Sequence, residues 1–235
     1  MTSVTSSVGE LPPSVQLHQL MVGHWISQSI YVAAKLGVAD HLASAPQSIE
    51  DLARAVDAHS PSLHRLLRAL ASVGLFTEVA PEQYALTPVG YFLRTGVPGS
   101  LRALAFIATE FDWQPWGHML HAVKTGETAF QRVYGESAFD YFAKHPDVGR
   151  TFNEAMTDFV AQNIRAVVAA YDFTPLKTIV DVGGGHGSLI TAILEASPAS
   201  RGVVFDLPAV IEGAIREVAV RGMADRCVCI AGDFF

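Results

Sequence analysis

The sequence predicts two architectures in series: a mainly α winged-helix front, followed by an α/β, Rossmann-like half of βαβαβ order. Three observations carry this. Helical stripes joined by short loops run from Ser14 to Gly96 and end in a small hairpin. From Lys177 to Phe235 strand-like runs alternate with helical ones, in the order Thr178–Val182, Ser188–Ala196, Gly202–Leu207, Ala209–Val220 and Cys227–Ala231, and the near-continuously apolar strand runs are expected to be buried on both faces. A glycine-rich turn, Gly183 to Gly187, stands directly between the first of those strands and the first of those helices. The expected division is 14–97 for the winged helix, 98–171 for a helical linker and pocket segment, and 172–235 for the α/β half.

The front begins with Leu17, Leu20, Met21, His24 and Trp25 at helical spacing. The stripe continues through Ile30, Val32, Ala33 and Leu36 with few charges on any side, which predicts one helix buried against its own domain or, preferably, another subunit. Ser48 in Ser-Ile-Glu-Asp predicts an N-cap with acids in the first turn, and Ser60 before Pro61 predicts a second helix start. Leu63, Leu66, Leu67, Leu70 and Val73 form one stripe that stops at Gly74. The runs Leu75–Val79 and Tyr84–Thr87, separated by Ala-Pro-Glu-Gln, predict the wing hairpin.

Winged helices commonly bind DNA, so the charges matter. The exposed side of the second helix offers His64, Arg65 and Arg68, but the wing carries Glu78 and Glu82 and no basic residue, a poor phosphate clamp. The formal net charge of -7 and pI near 5.7 argue the same way against nucleic acid and anionic membranes. Met1 to Leu11 lack a basic run and an apolar core and read as a frayed terminus, and no apolar stretch is long enough to span a bilayer. Cys227 and Cys229 lie two apart in a strand-like run, unsuited to a disulfide, which predicts reduced thiols in the cytoplasm.

The middle segment is helical and rich in aromatic residues, among them Phe106, Phe111, Trp116, Phe130, Tyr134, Tyr141, Phe142, Phe152 and Phe159. Most are expected in the core, yet so many flat rings with few charges also suit the wall of a pocket for a planar apolar ligand. Trp116, Asn153, Met156 and Phe159 are the candidate wall residues. His118 and His121 share a helix face without a third ligand at a suitable spacing, so no metal is expected.

The α/β half carries the chemistry. Asp181-Val182-Gly183-Gly184-Gly185-His186-Gly187 leads straight into a helix, and glycines at 183, 185 and 187 let the backbone approach a ligand. A dinucleotide fingerprint would place its third glycine at 188, where Ser188 stands, while an acid two residues before the first glycine suits a ligand carrying an ammonium group. Asp206 closes the second strand in Val-Phe-Asp-Leu-Pro, at the distance expected of a carboxylate that accepts ribose hydroxyls. Asp233 closes the third in Gly-Asp-Phe-Phe, where it would take an adenine amino group, with Phe234 packing on the ring. His186 is expected to face solvent or the ligand's tail.

These motifs resemble those of the small-molecule O-methyltransferases that depend on S-adenosylmethionine, the family of the plant caffeate and bacterial polyketide and phenazine enzymes. The winged-helix front resembles that family's dimerisation domain, and Phe152-Asn153-Glu154-Ala155-Met156 resembles its interdomain motif beside the active site. The resemblance implies a homodimer interlocked through N-terminal helices and methyl transfer to a hydroxyl of a planar, often aromatic acceptor. It implies cofactor contacts from Asp181, Gly183, Gly185, Gly187, Asp206, Leu207, Asp233 and Phe234.

In that family the acceptor's proton is taken by a histidine on a segment after the third strand. No histidine before Phe235 matches it, so no catalytic residue is named and the sequence reads as truncated before the catalytic segment. The strand Thr178–Val182 is then expected as an unpaired edge, apolar on both faces. A fragment of an O-methyltransferase is favoured over an inactive relative that binds cofactor or dimerises. A winged-helix regulator with a sensing domain is the third reading.

Overall fold

A computed structural model of the chain describes residues 12–233. The reading of residues 1–11 as a frayed terminus and the role given to Phe234 lie outside the described residues. The chain divides into a unit ending at Thr87 and a unit beginning at Pro88.

In the first unit, the single long helix expected from Leu17 to Leu36 is instead two, α1 (Pro13–Met21) and α2 (Gly23–Lys35). The break falls at Val22, whose ψ of 3° leaves helical geometry ahead of Gly23, a residue with low helix propensity. Leu17, Leu20, Met21 and Trp25 are all more than half exposed, the face expected to meet another subunit. A short turn, α3 (Val38–His41), leads to β1 (Gln47–Ser48) and α4 (Ile49–Ala55). The Ser48 hydroxyl accepts the Asp51 N–H, as its N-cap position predicts.

The second wing helix, α5 (Ser60–Ser72), starts at Ser60 as its Ser-Pro pair predicts, with His59 in the cap position and Pro61, which lacks an N–H, in the first turn. Gly74 follows it at φ 81°, a left-handed turn that glycine adopts without strain. The wing is β2 (Phe76–Ala80) paired antiparallel with β3 (Gln83–Leu86), and β1 adds on the other side of β3. Leu52, Leu67, Leu70, Phe76 and Tyr84 form the buried centre.

His64, expected on an exposed recognition face, turns instead toward the wing. Its Nδ1 lies 3.6 Å from Glu82 and its Nε2 3.8 Å from Glu78, with its ring edge-on to Tyr84. The two wing carboxylates thus draw in one of the three basic side chains that a DNA reader would present.

The second unit opens with a 3-10 turn at Gly90–Leu93, followed by α6 (Arg102–Phe106), a π-helical turn at Ile107–Phe111, α7 (Trp113–Gly117), α8 (Met119–Thr125), α9 (Ala129–Tyr134), α10 (Ala138–Lys144) and the long α11 (Pro146–Ala170). The aromatic residues pack on one another: Phe130 on Tyr134 at 4.4 Å, Tyr134 on Tyr141 at 4.8 Å, and Phe142 stacked on Phe152 at 4.7 Å. The Tyr134 hydroxyl donates to the Phe111 carbonyl and ties α9 to the π turn. His121 meets Glu127, and among the described residues no cluster suits a metal ion.

The α/β half then runs β4 (Thr178–Val182), α12 (Ser188–Ala196), β5 (Arg201–Asp206), α13 (Pro208–Val220) and β6 (Cys227–Ala231). The sheet is parallel in the order β4-β5-β6, so β4 is an edge strand among the described residues, as expected. Ile190, Leu194, Val204, Ile211, Ala214 and Val218 pack as one core between sheet and helices.

Strands buried on both faces were expected, but Val180, Val182, Val228 and Ile230 are 45–58% exposed. Successive right-handed crossovers in one direction set both helices on the same face, which leaves the other face uncovered in this segment. Among the described residues, no helix is long and apolar enough to cross a membrane.

Both cysteines are free and point toward the helix-covered face of β6. Burial pushes the Cys227 thiol up to about 11. At pH 8 only about one such thiol in a thousand is ionised, so alkylation should be more than a hundredfold slower than in urea. The raised value favours the neutral thiol in the fold, so this contribution to stability holds below the ordinary thiol range and is lost as pH rises toward 11. Peptide mass analysis after a timed iodoacetamide pulse measures it, and equal native and denatured rates would refute the burial argument.

Candidate cofactor site

The turn after β4 is shaped by its glycines. Gly183, Gly185 and Gly187 take φ of 70°, 56° and 80°, a region that residues with a Cβ rarely occupy. The Gly183 N–H donates to the Phe205 carbonyl at 2.8 Å, which anchors the loop to the neighbouring strand. Gly187 caps α12, and the buried Thr191 hydroxyl donates to its carbonyl at 2.7 Å.

Gly184 matters for a different reason, which the spacing of the motif did not bring out. A Cβ there would stand 2.9 Å from Cγ of Asp181, so the loop wraps closely around that carboxyl group.

The three acids lie at one end of the sheet. Register pairs Asp181 with Val204 near the end of β4, Asp206 ends β5, and Asp233 follows β6 by two residues. Asp181 Oδ2 is buried and has no hydrogen-bond partner. Burial pushes its carboxyl above the ordinary carboxylate range, a backbone bond from Ile190 opposes the shift, and the Asp206 charge adds to it. An unpaired buried acceptor of this kind is costly unless a cation or donor meets it.

Asp206 is 9% exposed and already bonded: Oδ2 accepts the Gly185 N–H and Oδ1 the Leu207 N–H, both at 2.7 Å. Two bonds leave lone pairs for further donors, since a carboxylate accepts about four. Leu207, the N-cap of α13, is therefore held by the acid beside it. The Gly232 N–H donates to the Asp206 carbonyl at 2.9 Å and brings the stretch before Asp233 alongside, and Asp233 itself is exposed.

His186, expected toward solvent or the ligand's tail, is half-buried, with its ring against Gly213 of α13. The structure leaves room for it because Gly213 has no side chain.

Of the four candidate wall residues, Trp116 sits on α7 and is 63% exposed, while Asn153, Met156 and Phe159 lie on α11 at intervals of three. A cavity of about 420 Å³ is lined by Arg102, Phe106, Thr151, Glu154 and Asp158 among others, and by none of these four. At about 100° per residue, Thr151, Glu154 and Asp158 project from the side of α11 opposite Asn153 and Met156. Asn153 and Met156 therefore face away from the cavity.

Comparison with known proteins identifies two domains. Residues 18–96 match the model of the O-methyltransferase dimerisation domain and residues 116–235 that of the O-methyltransferase domain. The phenazine O-methyltransferase PhzM of Lysobacter antibioticus is 47% identical over 97% of this chain and 67% of its own length. The phenazine-1-carboxylate N-methyltransferase of Pseudomonas aeruginosa is 37% identical over 81% of this chain and 56% of its own.

The crystal structure of LaPhzM superposes with a TM-score of 0.89 at 47% identity, over 95% of this chain and 68% of that one. This chain thus spans about two thirds or less of these curated relatives. Fold and comparisons together define a helical dimerisation domain followed by a Rossmann-like methyltransferase domain. The chain belongs to the O-methyltransferase family.

Proposed function

We propose that this chain binds S-adenosylmethionine at the carboxyl ends of β4, β5 and β6, and that its protein transfers the methyl group to a hydroxyl of a small planar, aromatic metabolite. The observation that carries this reading is the buried, partnerless Oδ2 of Asp181 under a glycine loop, beside Asp206 and Asp233. The residues fit the group: Asp181 would hold the cofactor's ammonium, Asp206 its ribose hydroxyls, and Asp233 its adenine amine. Gly183, Gly185 and Gly187 would let the backbone close on it, with Leu207 beside the sugar.

When bound, the cofactor supplies a methyl on a positively charged sulfur, already an excellent leaving group. The protein's task is then to align the acceptor oxygen with that methyl and accept its proton. Asn153, Met156, Phe159 and Trp116 are proposed as the acceptor's wall, within a pocket segment spanning 98–171 between a dimerising front, 14–97, and a cofactor-binding half, 172–235. The relatives are named for phenazine substrates, which supports a flat aromatic acceptor. One of them methylates nitrogen, so product analysis must separate hydroxyl from amine acceptors. The exposed apolar face of α1 and α2 supports a homodimer, and the free cysteines support a cytoplasmic setting.

Calorimetric titration with S-adenosylhomocysteine tests the site. Asp181→Asn keeps the shape and removes the charge, and is expected to weaken binding at least tenfold, the effect of losing one charge-assisted bond of about 1.5–3 kcal/mol. Because the Asp181 value is raised, wild-type affinity should begin to fall above the ordinary carboxylate range as pH is lowered, and the variant should lose that slope. No binding by the wild-type chain, or equal binding by the variant, would remove the assignment.

A further inference from the structure

The loop between β4 and α12 carries one side chain among its glycines, that of His186, and the cofactor reading uses none of its chemistry. Its imidazole lies over Gly213, the sixth residue of α13. A Cβ at Gly213 would stand 2.6 Å from both Cδ2 and Nε2 of the ring, far inside the 3.5–4.0 Å or so of a normal carbon contact. Glycine is a poor residue for a helix interior, and here it leaves a notch that the ring fills.

The notch links two elements that must converge on one ligand. On one side is the loop, whose Gly185 N–H donates to Asp206 Oδ2 at 2.7 Å. On the other is the helix that starts two residues after Asp206, capped by Leu207. Gly185 and Gly187, flanking His186, both take positive φ, so the backbone on either side of the ring is conformationally permissive and needs an anchor to stay in one arrangement.

We propose that His186 is a positioning residue: its ring, seated on Gly213, holds the loop of residues 183–187 at the spacing from Asp206 that the cofactor requires. This rests on the cofactor reading above. The ring acts by shape, through the loop, without touching the reacting atoms.

The test is a double-mutant cycle on the 235-residue chain with Gly213→Ala, His186→Ala and the pair. Each is read by titration with S-adenosylhomocysteine and, without ligand, by hydrogen exchange at the Gly185 amide. Gly213→Ala and His186→Ala are each expected to weaken binding about tenfold and to speed Gly185 exchange about tenfold, while amides in the middle of α12 keep their protection. The pair should be no worse than His186→Ala alone, since the added methyl has nothing left to displace. Additive losses, or single variants that exchange and bind like wild type, would overturn the wedge. If the wild-type chain fails to bind, or Asp181→Asn binds equally well, the cofactor reading falls. The exchange arm then decides the wedge alone: non-additive loss of protection upholds it, and unchanged or additive exchange overturns it.

Discussion

An Asp206→Ala chain is expected to lose measurable binding of S-adenosylhomocysteine and to unfold more easily. Its carboxylate is 9% exposed and accepts two backbone N–H groups, from Gly185 and Leu207. Hydrogen bonds to a charged group contribute about 1.5–3 kcal/mol each, and truncation leaves both donors without their acceptor. The loop and the start of α13 should therefore loosen together, before any ligand is added. If Asp206 also receives the ribose hydroxyls, affinity falls by a further hundredfold or so. Asp206→Asn separates the two roles, because its amide oxygen can still accept one N–H bond. It should recover part of the stability and little of the binding. A variant with wild-type affinity would refute Asp206 as a cofactor ligand, and a variant with wild-type stability would refute its part in holding the loop.

Arg226→Ala should give a large loss of stability outside the hydrophobic core. The guanidinium reaches across from the residue before β6 and donates to the carbonyls of Leu194, Ser197, Pro198 and Ser200 at 3.0–3.4 Å, with Met223 sulfur at 3.0 Å. Those carbonyls include the end of α12 and the turn into β5, where helical partners have run out. One planar cation thus ties together the helix end, the turn and the approach to the third strand. Allowing for water reaching the freed carbonyls, the expected loss is about 2–4 kcal/mol in urea unfolding. Arg226→Lys should restore little, because an ammonium on a flexible stem cannot match a planar fork aimed at four carbonyls. A shift under about 0.5 kcal/mol would place this bridge among the surface interactions of no consequence.

Much of the α/β half was legible in the sequence. Thr178–Val182 and Cys227–Ala231 are strands with the expected limits, and Ser188–Ala196 is a helix as its pattern predicts. These segments read well because short apolar runs bounded by glycine, proline and acids leave few alternatives. Asp181, Asp206 and Asp233 could be named as a set for the same reason, since strand ends in a parallel sheet converge. The front unit was less legible. The break at Val22 is a local torsion within a continuous apolar stripe, and the pairing of Gln47–Ser48 with β3 joins residues more than 30 apart with no local pattern to announce it.

By itself the sequence determined the order of elements in the α/β half, the glycine loop with its acid, and the succession of acids at strand ends, because each depends on neighbours within a few residues. Only the tertiary structure decided that Asp181 keeps a buried oxygen without a partner, that Asp206 is already bonded to the loop, and that Arg226 bridges α12 to β6. The same holds for His64 between two wing glutamates and His186 on Gly213. These facts depend on side chains brought together from distant positions by packing, and on the absence of a Cβ at the point of contact. Spacing along the chain encodes neither.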